Sequence, residues 1–185
     1  EAGYDEVDEK IREELIKLRE LSPETENLKE QKRKYDPLMS QETYAGSKRD
    51  KGIGSTKVCT KDSCDEYLDT GRHKPGTIYL QGDWAQEPEF LEYRGEAGKG
   101  WIAYQYYASE VNVVLAGVGK AEVLLFDKPI RAEYSGKDVK SVNGKSILKV
   151  EGADMYNIIK TPAVLSGVLK IIPFEEMRVY AYTFG

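Results

Sequence analysis

One histidine, two cysteines and no Cys-x-x-Cys pair occur in 185 residues, and these shortages leave few routes to His- or Cys-based catalysis. Every imidazole-based acid–base or nucleophile scheme would rest on His73 alone. It lies in Thr70-Gly-Arg-His-Lys-Pro-Gly76, where Arg72 and Lys74 make it a poorer base, so a solvent-exposed loop histidine is the simplest expectation. Without Cys-x-x-Cys there is no thioredoxin-type redox centre. No apolar run approaches the roughly 20 residues of a membrane span, and no signal peptide is visible. The chain starts at Glu1 without Met and is expected to be excised from a longer protein, with any export signal or anchor upstream. No basic stripe is present either. Residues 1–36 hold 12 acids and 8 bases, leaving 20 acids and 19 bases for residues 37–185. A near-neutral domain of that kind is not expected to bind nucleic acid.

What the chain has is strand. Thr77–Trp84, Glu89–Arg94, Trp101–Ala108, Val111–Val118, Ala121–Phe126, Ser146–Val150, Met155–Lys160, Val168–Pro173 and Arg178–Phe184 are nearly all rich in Val, Ile, Tyr, Phe or Trp. They recur every ~8–14 residues between Gly, Asp, Asn and Pro, the spacing of a mostly antiparallel β-sandwich or barrel. Gly117-Val-Gly119-Lys, Val142-Asn-Gly144-Lys and Glu151-Gly-Ala-Asp154 are expected turns. Gly117-x-Gly119 lacks the following helix that a phosphate loop requires. In Trp101–Ala108, Ile102, Tyr104, Tyr106 and Ala108 share one face and Trp101, Ala103, Gln105 and Tyr107 the other. Neither face is fully polar, which predicts a central strand covered on both sides.

Ahead of the strands lies a charged helical segment. Tyr4, Val7, Ile11, Leu15 and Leu18 form one apolar stripe, and Ser22-Pro23 breaks and restarts the helix. A second stretch, Glu24–Tyr35, ends at Asp36-Pro37. The expected organisation is a helical segment over residues 1–36 and a β-sandwich module over residues 37–185. The stripe needs a partner surface, so self-association through this helix is one expectation.

Cys59-Thr-Lys-Asp-Ser-Cys64 places four residues with turn chemistry between the cysteines. Such a turn can bring the two Cα atoms within the ~4.4–6.8 Å span of a disulfide, the first reading here. Two free thiols, a redox-active pair, or a zinc site using Cys59, Cys64, His73 and one of Asp62, Asp65 or Glu66 are the alternatives. A disulfide would place the chain in an oxidising compartment.

Thirteen Tyr and two Trp against four Phe favour rings with a polar handle, common where one edge stays wet. Trp84 follows Gly82-Asp83 at an expected strand end, so a ring and a carboxylate could meet a sugar together at a loop rim; an inter-sheet core position competes for Trp84 and for Trp101. Asp83, Glu87, Glu89 and Glu92 cluster around Trp84. Glycoside hydrolysis needs two carboxyls about 5–9.5 Å apart, which sequence spacing does not establish, and hydrolysis is not expected. No catalytic residue, metal or cofactor is assigned.

Residues 1–18, with their Gly3-Tyr4-Asp5-Glu6 opening, resemble the last helix of a thioredoxin-like domain. Tyr44-Ala-Gly46-Ser-Lys-Arg49, Gly82-Asp-Trp84, the block Tyr104–Val114 and the closing Tyr180-Ala-Tyr-Thr-Phe-Gly185 resemble a module that follows that domain. It occurs in the DipZ family of thiol–disulfide and cytochrome c biogenesis proteins. The resemblance implies an antiparallel jelly-roll-like β-sandwich, similar to carbohydrate-binding modules, at the cell envelope. It implies a non-catalytic, glycan-binding accessory module of a thiol–disulfide oxidoreductase, for which the residues themselves offer Trp84, Asp83, Tyr44 and Arg49 as candidates. The alternative is a protein-docking module without sugar affinity. Arg49, next to the linker, is expected to clamp the module to the upstream thioredoxin-like domain, or to recognise a carboxylate or uronic acid. Residues 47–76 are expected to form a long ordered loop across one end of the sandwich.

Overall fold

The computed structural model describes residues 39–59 and 64–185, which fall within one compact unit spanning Leu38–Gly185. The helices expected over residues 1–36, and self-association through their stripe, lie outside the described residues. Among the described residues, apart from a 3-10 turn at Ala132–Tyr134, the regular structure is β. The strands are β1 (Thr43–Tyr44), β2 (Thr56–Val58), β3 (Glu66–Leu68), β4 (Ile78–Gln86), β5 (Leu91–Tyr93), β6 (Trp101–Leu125), β7 (Lys128–Pro129), β8 (Val139–Val142), β9 (Lys145–Glu151), β10 (Asp154–Pro173) and β11 (Met177–Phe184). This is an all-β antiparallel domain, with hydrogen-bonded order β2-β3-β4-β5-β11-β6-β9-β8; β1 pairs with β11, and β7 and β10 pair with β6.

Three expected strands, Trp101–Ala108, Val111–Val118 and Ala121–Phe126, are one 25-residue strand, β6. The expected hairpin at Gly117-Val-Gly119 is therefore corrected. The two glycines serve a close approach instead of a reversal. A Cβ on Gly117 would lie 3.0 Å from the Glu176 carbonyl oxygen, and one on Gly119 would lie 2.6 Å from the Glu175 carboxylate. The 174–176 turn thus lies against the strand, held by Phe174 N–H to Lys120 O (2.9 Å) and Lys120 N–H to Glu175 Oε2 (2.7 Å). Asn143-Gly144 is a tight hairpin turn as expected, both residues having positive φ (50° and 77°).

Along β6 the buried set changes parity once. Ile102, Tyr104, Tyr106 and Ala108 are buried, then Val111, Val113 and Leu115. Between them the N–H groups of Ser109 and Glu110 both donate to the carbonyl of Gly185, at 3.0 and 2.8 Å. Two successive donors on one acceptor mark a β-bulge, which moves the apolar face by one residue. Downstream of the bulge β6 pairs with β11, Val113 opposite Tyr182. As β10 advances from Asp154 to Ile171, its partner on β6 recedes from Leu115 to Ile102, so the two strands run in opposite directions. Leu169 is registered with both Tyr104 and Leu125. The C-terminal part of β10 therefore lies between the two halves of β6, and β6 acts as the hub of the domain.

The core is aromatic. Tyr104 stacks on Tyr182 with centroids 4.9 Å apart, and its hydroxyl meets the Thr43 hydroxyl at 2.8 Å. The tyrosines of the Tyr104–Val114 block are thus mainly structural, with Tyr107 half-buried. The described residues within 47–76 contain two short strands that the sequence pattern does not signal. Ile53 bridges Ile78, Pro75 bridges Gln105, and β2–β3 form a hairpin.

Cys59 and Cys64 are joined in a disulfide at the end of that hairpin, with Cα atoms 4.1 Å apart. The closed loop is short, so the link constrains the unfolded chain only modestly. Replacing both cysteines with serine is expected to lower stability by about 1–3 kcal/mol while leaving the sheet intact. A urea titration followed by tyrosine fluorescence and far-UV circular dichroism checks both points.

Candidate functional site

Asp83 and Trp84, adjacent on β4, point to opposite faces because strand side chains alternate. Asp83 is exposed, whereas Trp84 is 0% exposed. The indole packs on Tyr93, centroids 5.0 Å apart, and its Nε1–H donates to the Gln81 carbonyl at 3.0 Å. The expected sugar platform on Trp84 is therefore corrected: β4 continues to Gln86, which places Trp84 inside the strand and its ring in the core. Trp101 is half-buried, and its Nε1–H donates to Asp69 Oδ2 at 2.9 Å.

On the outer side of β4, Asp83 lines a groove of about 520 Å³ with Glu66, Gln81, Arg94, Glu96 and Lys99. Glu66 and Asp83 are directly opposite in the β3–β4 pair. The floor is made of glycine and one ring. A Cβ on Gly100 would meet the Gln81 carbonyl oxygen at 2.5 Å and the Tyr93 ring at 2.6 Å, so a larger residue would fill the base of the groove. The Tyr93 hydroxyl accepts from the Gly100 N–H at 2.9 Å and donates to the Glu96 carbonyl.

Arg94 is tied through Glu92 of β5 to Arg178 of β11. Its Nε and Nη2 donate to Glu92 Oε2 at 2.8 and 2.7 Å, and Glu92 Oε1 accepts from Arg178 Nε at 2.7 Å. The hydrogen bonds from Arg178 and then Arg94 hold the Glu92 carboxyl below the usual range, against the opposing effect of burial. Glu92 therefore serves to fix two guanidinium groups and is not poised as a proton donor.

Tyr44 and Arg49 come together beside the β4–β5 connection. The Arg49 guanidinium carbon sits 3.3 Å from the centroid of the Tyr44 ring, and Arg49 is exposed. Their turn is fixed from below. Ser47 N–H donates to Glu87 O (2.9 Å), Lys48 N–H to Pro88 O (3.1 Å), and Arg49 and Asp50 N–H both reach Gly46 O. Only glycine fits at residue 46, because a Cβ there would stand 2.2 Å from the Glu89 carbonyl carbon. Of the four expected ligand-binding residues, the structure joins Tyr44 with Arg49, puts Asp83 in the groove, and withdraws Trp84.

A third cluster was not anticipated. His73 is not an exposed loop residue: its side chain is 7% exposed and that of Asp69 1%. His73 Nε2 lies 2.9 Å from Asp69 Oδ2, and the carboxylate also accepts from Trp101 Nε1–H and from Gly71 N–H at 2.8 Å. Because a carboxylate only accepts, Nε2 carries the proton. The ring stands edge-on to Tyr79, centroids 4.7 Å apart. The sequence clue was Asp69-x-x-x-His73 in a turn-rich stretch. The cluster pins the loop to the sheet.

Cys59 and Cys64 are bonded to each other and so do not present zinc-binding thiolates. Among the described residues no group of three His, Cys, Asp or Glu side chains could hold a metal ion, and no helix is long and apolar enough to cross a membrane.

No curated protein matches the chain. Among solved structures, a family two carbohydrate esterase from Cellvibrio japonicus is similar at 11% sequence identity and a TM-score of 0.41. That likeness covers 57% of this chain and 29% of the esterase chain. The family described as "Thioredoxin like C-terminal domain" matches residues 40–185, from the Ser40 hydrogen bond to Tyr107 through to Gly185 at the β6 bulge. The chain thus belongs to the thioredoxin-like C-terminal domain family, a C-terminal domain associated with thioredoxin-like proteins.

Proposed function

We propose that this chain is a non-catalytic accessory module, a jelly-roll-like sandwich, of a thioredoxin-like thiol–disulfide oxidoreductase at the cell envelope. Its working surface is the Tyr44–Arg49 stack, which clamps the module to the upstream thioredoxin-like domain. The observation that carries this reading is the Arg49 guanidinium, exposed yet seated 3.3 Å over the Tyr44 ring. A guanidinium held flat on an aromatic face loses less freedom when its N–H edge meets a carboxylate. The backbone beneath it is fixed by the Glu87–Glu89 turn, so the stack is presented on a rigid base.

A second reading is glycan binding in the groove, supported by its mix of acceptors and donors. Glu66, Gln81, Asp83 and Glu96 supply acceptors and Arg94 and Lys99 donors around a space of about 520 Å³. Without an exposed ring platform, affinity would be weak, roughly 10 μM to 1 mM.

In the longer protein that carries the thioredoxin-like domain, Arg49→Ala is expected to uncouple the unfolding of the two domains. This chain alone should change by less than about 0.5 kcal/mol. Scanning calorimetry of both forms reads the difference; an unchanged transition in the longer protein would remove the clamp. A glycan panel on which Asp83→Asn weakens binding and Arg49→Ala does not would favour the groove instead.

A further inference from the structure

The β2–β3 hairpin lies at the edge of the domain. All three residues of β2 are exposed, and β2 is the terminal strand of the sheet order. β3 contributes Tyr67 to the core and is registered with β4 at Glu66 opposite Asp83 and Tyr67 opposite Gly82, with one further bond from Trp84 N–H to the Asp65 carbonyl at 2.9 Å. One of those two pairs sets like charges against each other, which disfavours the pairing. The disulfide closes this hairpin at its far end, and both cysteines are exposed. Tyr67 is its one residue in the core, and the pairings of β6 with β10 and β11 do not involve it.

We propose that Cys59–Cys64 is a thiol–disulfide exchange site, accepting two electrons from a vicinal protein dithiol of the thioredoxin class. Reduction loosens β3 and so opens the Glu66 wall of the groove. Exposed disulfides are the ones open to in-line attack by a thiolate, whereas disulfides buried in a core resist it. In the first step a thiolate of the dithiol attacks one sulfur. A mixed disulfide forms, the Cys59–Cys64 bond breaks, and the released sulfur takes a proton. In the second step the other thiol of the donor, deprotonated, attacks the mixed disulfide. The donor leaves as a disulfide, oxidised by two electrons, and the second cysteine of this chain is released and protonated. Two sulfur–hydrogen bonds are gained here and two are lost on the donor. The chain is thus an acceptor of reducing equivalents and needs no Cys-x-x-Cys of its own. This is independent of the Arg49 clamp.

The test uses the full 185-residue chain with thioredoxin, a catalytic amount of thioredoxin reductase and NADPH in native buffer. The expected result is consumption of one NADPH per chain and a mass gain of about 2 Da. A thioredoxin variant lacking its resolving cysteine should be trapped on this chain as a mixed disulfide. A chain with both cysteines changed to serine should consume nothing. Hydrogen exchange at Thr56–Leu68 should then quicken about tenfold, while β6, β10 and β11 keep their protection. If NADPH is consumed only after urea unfolding, the bond is an inert staple and the proposal is overturned. Reduction with no change in hairpin exchange would overturn the opening of the groove wall.

Discussion

Trp84→Ala is expected to lower the stability of the domain by about 3–5 kcal/mol, a large share of the ~5–15 kcal/mol typical of a folded domain. The indole is 0% exposed, packs on Tyr93 and satisfies its N–H on the Gln81 carbonyl. Truncation removes that packing and leaves a cavity that the rigid sheet cannot collapse around. Asp83→Asn, one residue away on the wet face, should cost less than about 0.5 kcal/mol. Urea midpoints for the two variants decide the matter. A Trp84→Ala loss below about 1 kcal/mol would mean that the ring is not a core element. Loss of sugar binding in this variant would report unfolding, which is why Asp83→Asn is the informative change for the groove.

Asp69→Ala should cost about 2–4 kcal/mol, because it strands three donors at once: His73 Nε2, Trp101 Nε1 and the Gly71 amide. The same carboxylate gives the domain an acid-sensitive element. Burial pushes the Asp69 pKa up, but the hydrogen bonds from Trp101, His73 and Gly71 outweigh it and leave the value below the ordinary one. A lowered folded-state value means that the contribution to stability is fully present above the unfolded-state value, near pH 4. It is lost as pH falls through the lower folded-state value. Stability measured from pH 6 down to pH 2 should therefore fall less steeply for Asp69→Asn than for the native chain. Parallel curves would show that this carboxylate does not titrate differently on folding.

The fold was legible in the sequence because period-two apolar patterning survives into the structure. Ile102, Tyr104, Tyr106 and Ala108 face the core as their alternation requires. What the pattern could not distinguish was a turn from a close approach. Gly117-x-Gly119 reads the same whether the chain reverses or another turn lies against it, and the deciding neighbours, Glu175 and Glu176, are almost 60 residues away. The site was legible only in part. Tyr44 and Arg49 could be placed together because only four residues of turn separate them. Trp84 was misplaced because the end of β4 was set two residues early, which put a core ring at a rim. The Asp69 cluster escaped notice because its third member, Trp101, arrives from another strand.

The double registration of β10 against both halves of β6 has a consequence for the time course of folding. β6 is synthesised before its main partners, β10 and β11, which begin about 30 and 50 residues after it ends. Loop closure over such separations is entropically slow, so the domain belongs with the high-contact-order proteins that fold in milliseconds to seconds. Until residues 154–184 emerge, β6 has β4, β7 and β9 as partners only near its two ends, and its middle, Tyr106–Gly117, is paired with no other described strand. That interval is when the chain is most exposed to mispairing with its own kind.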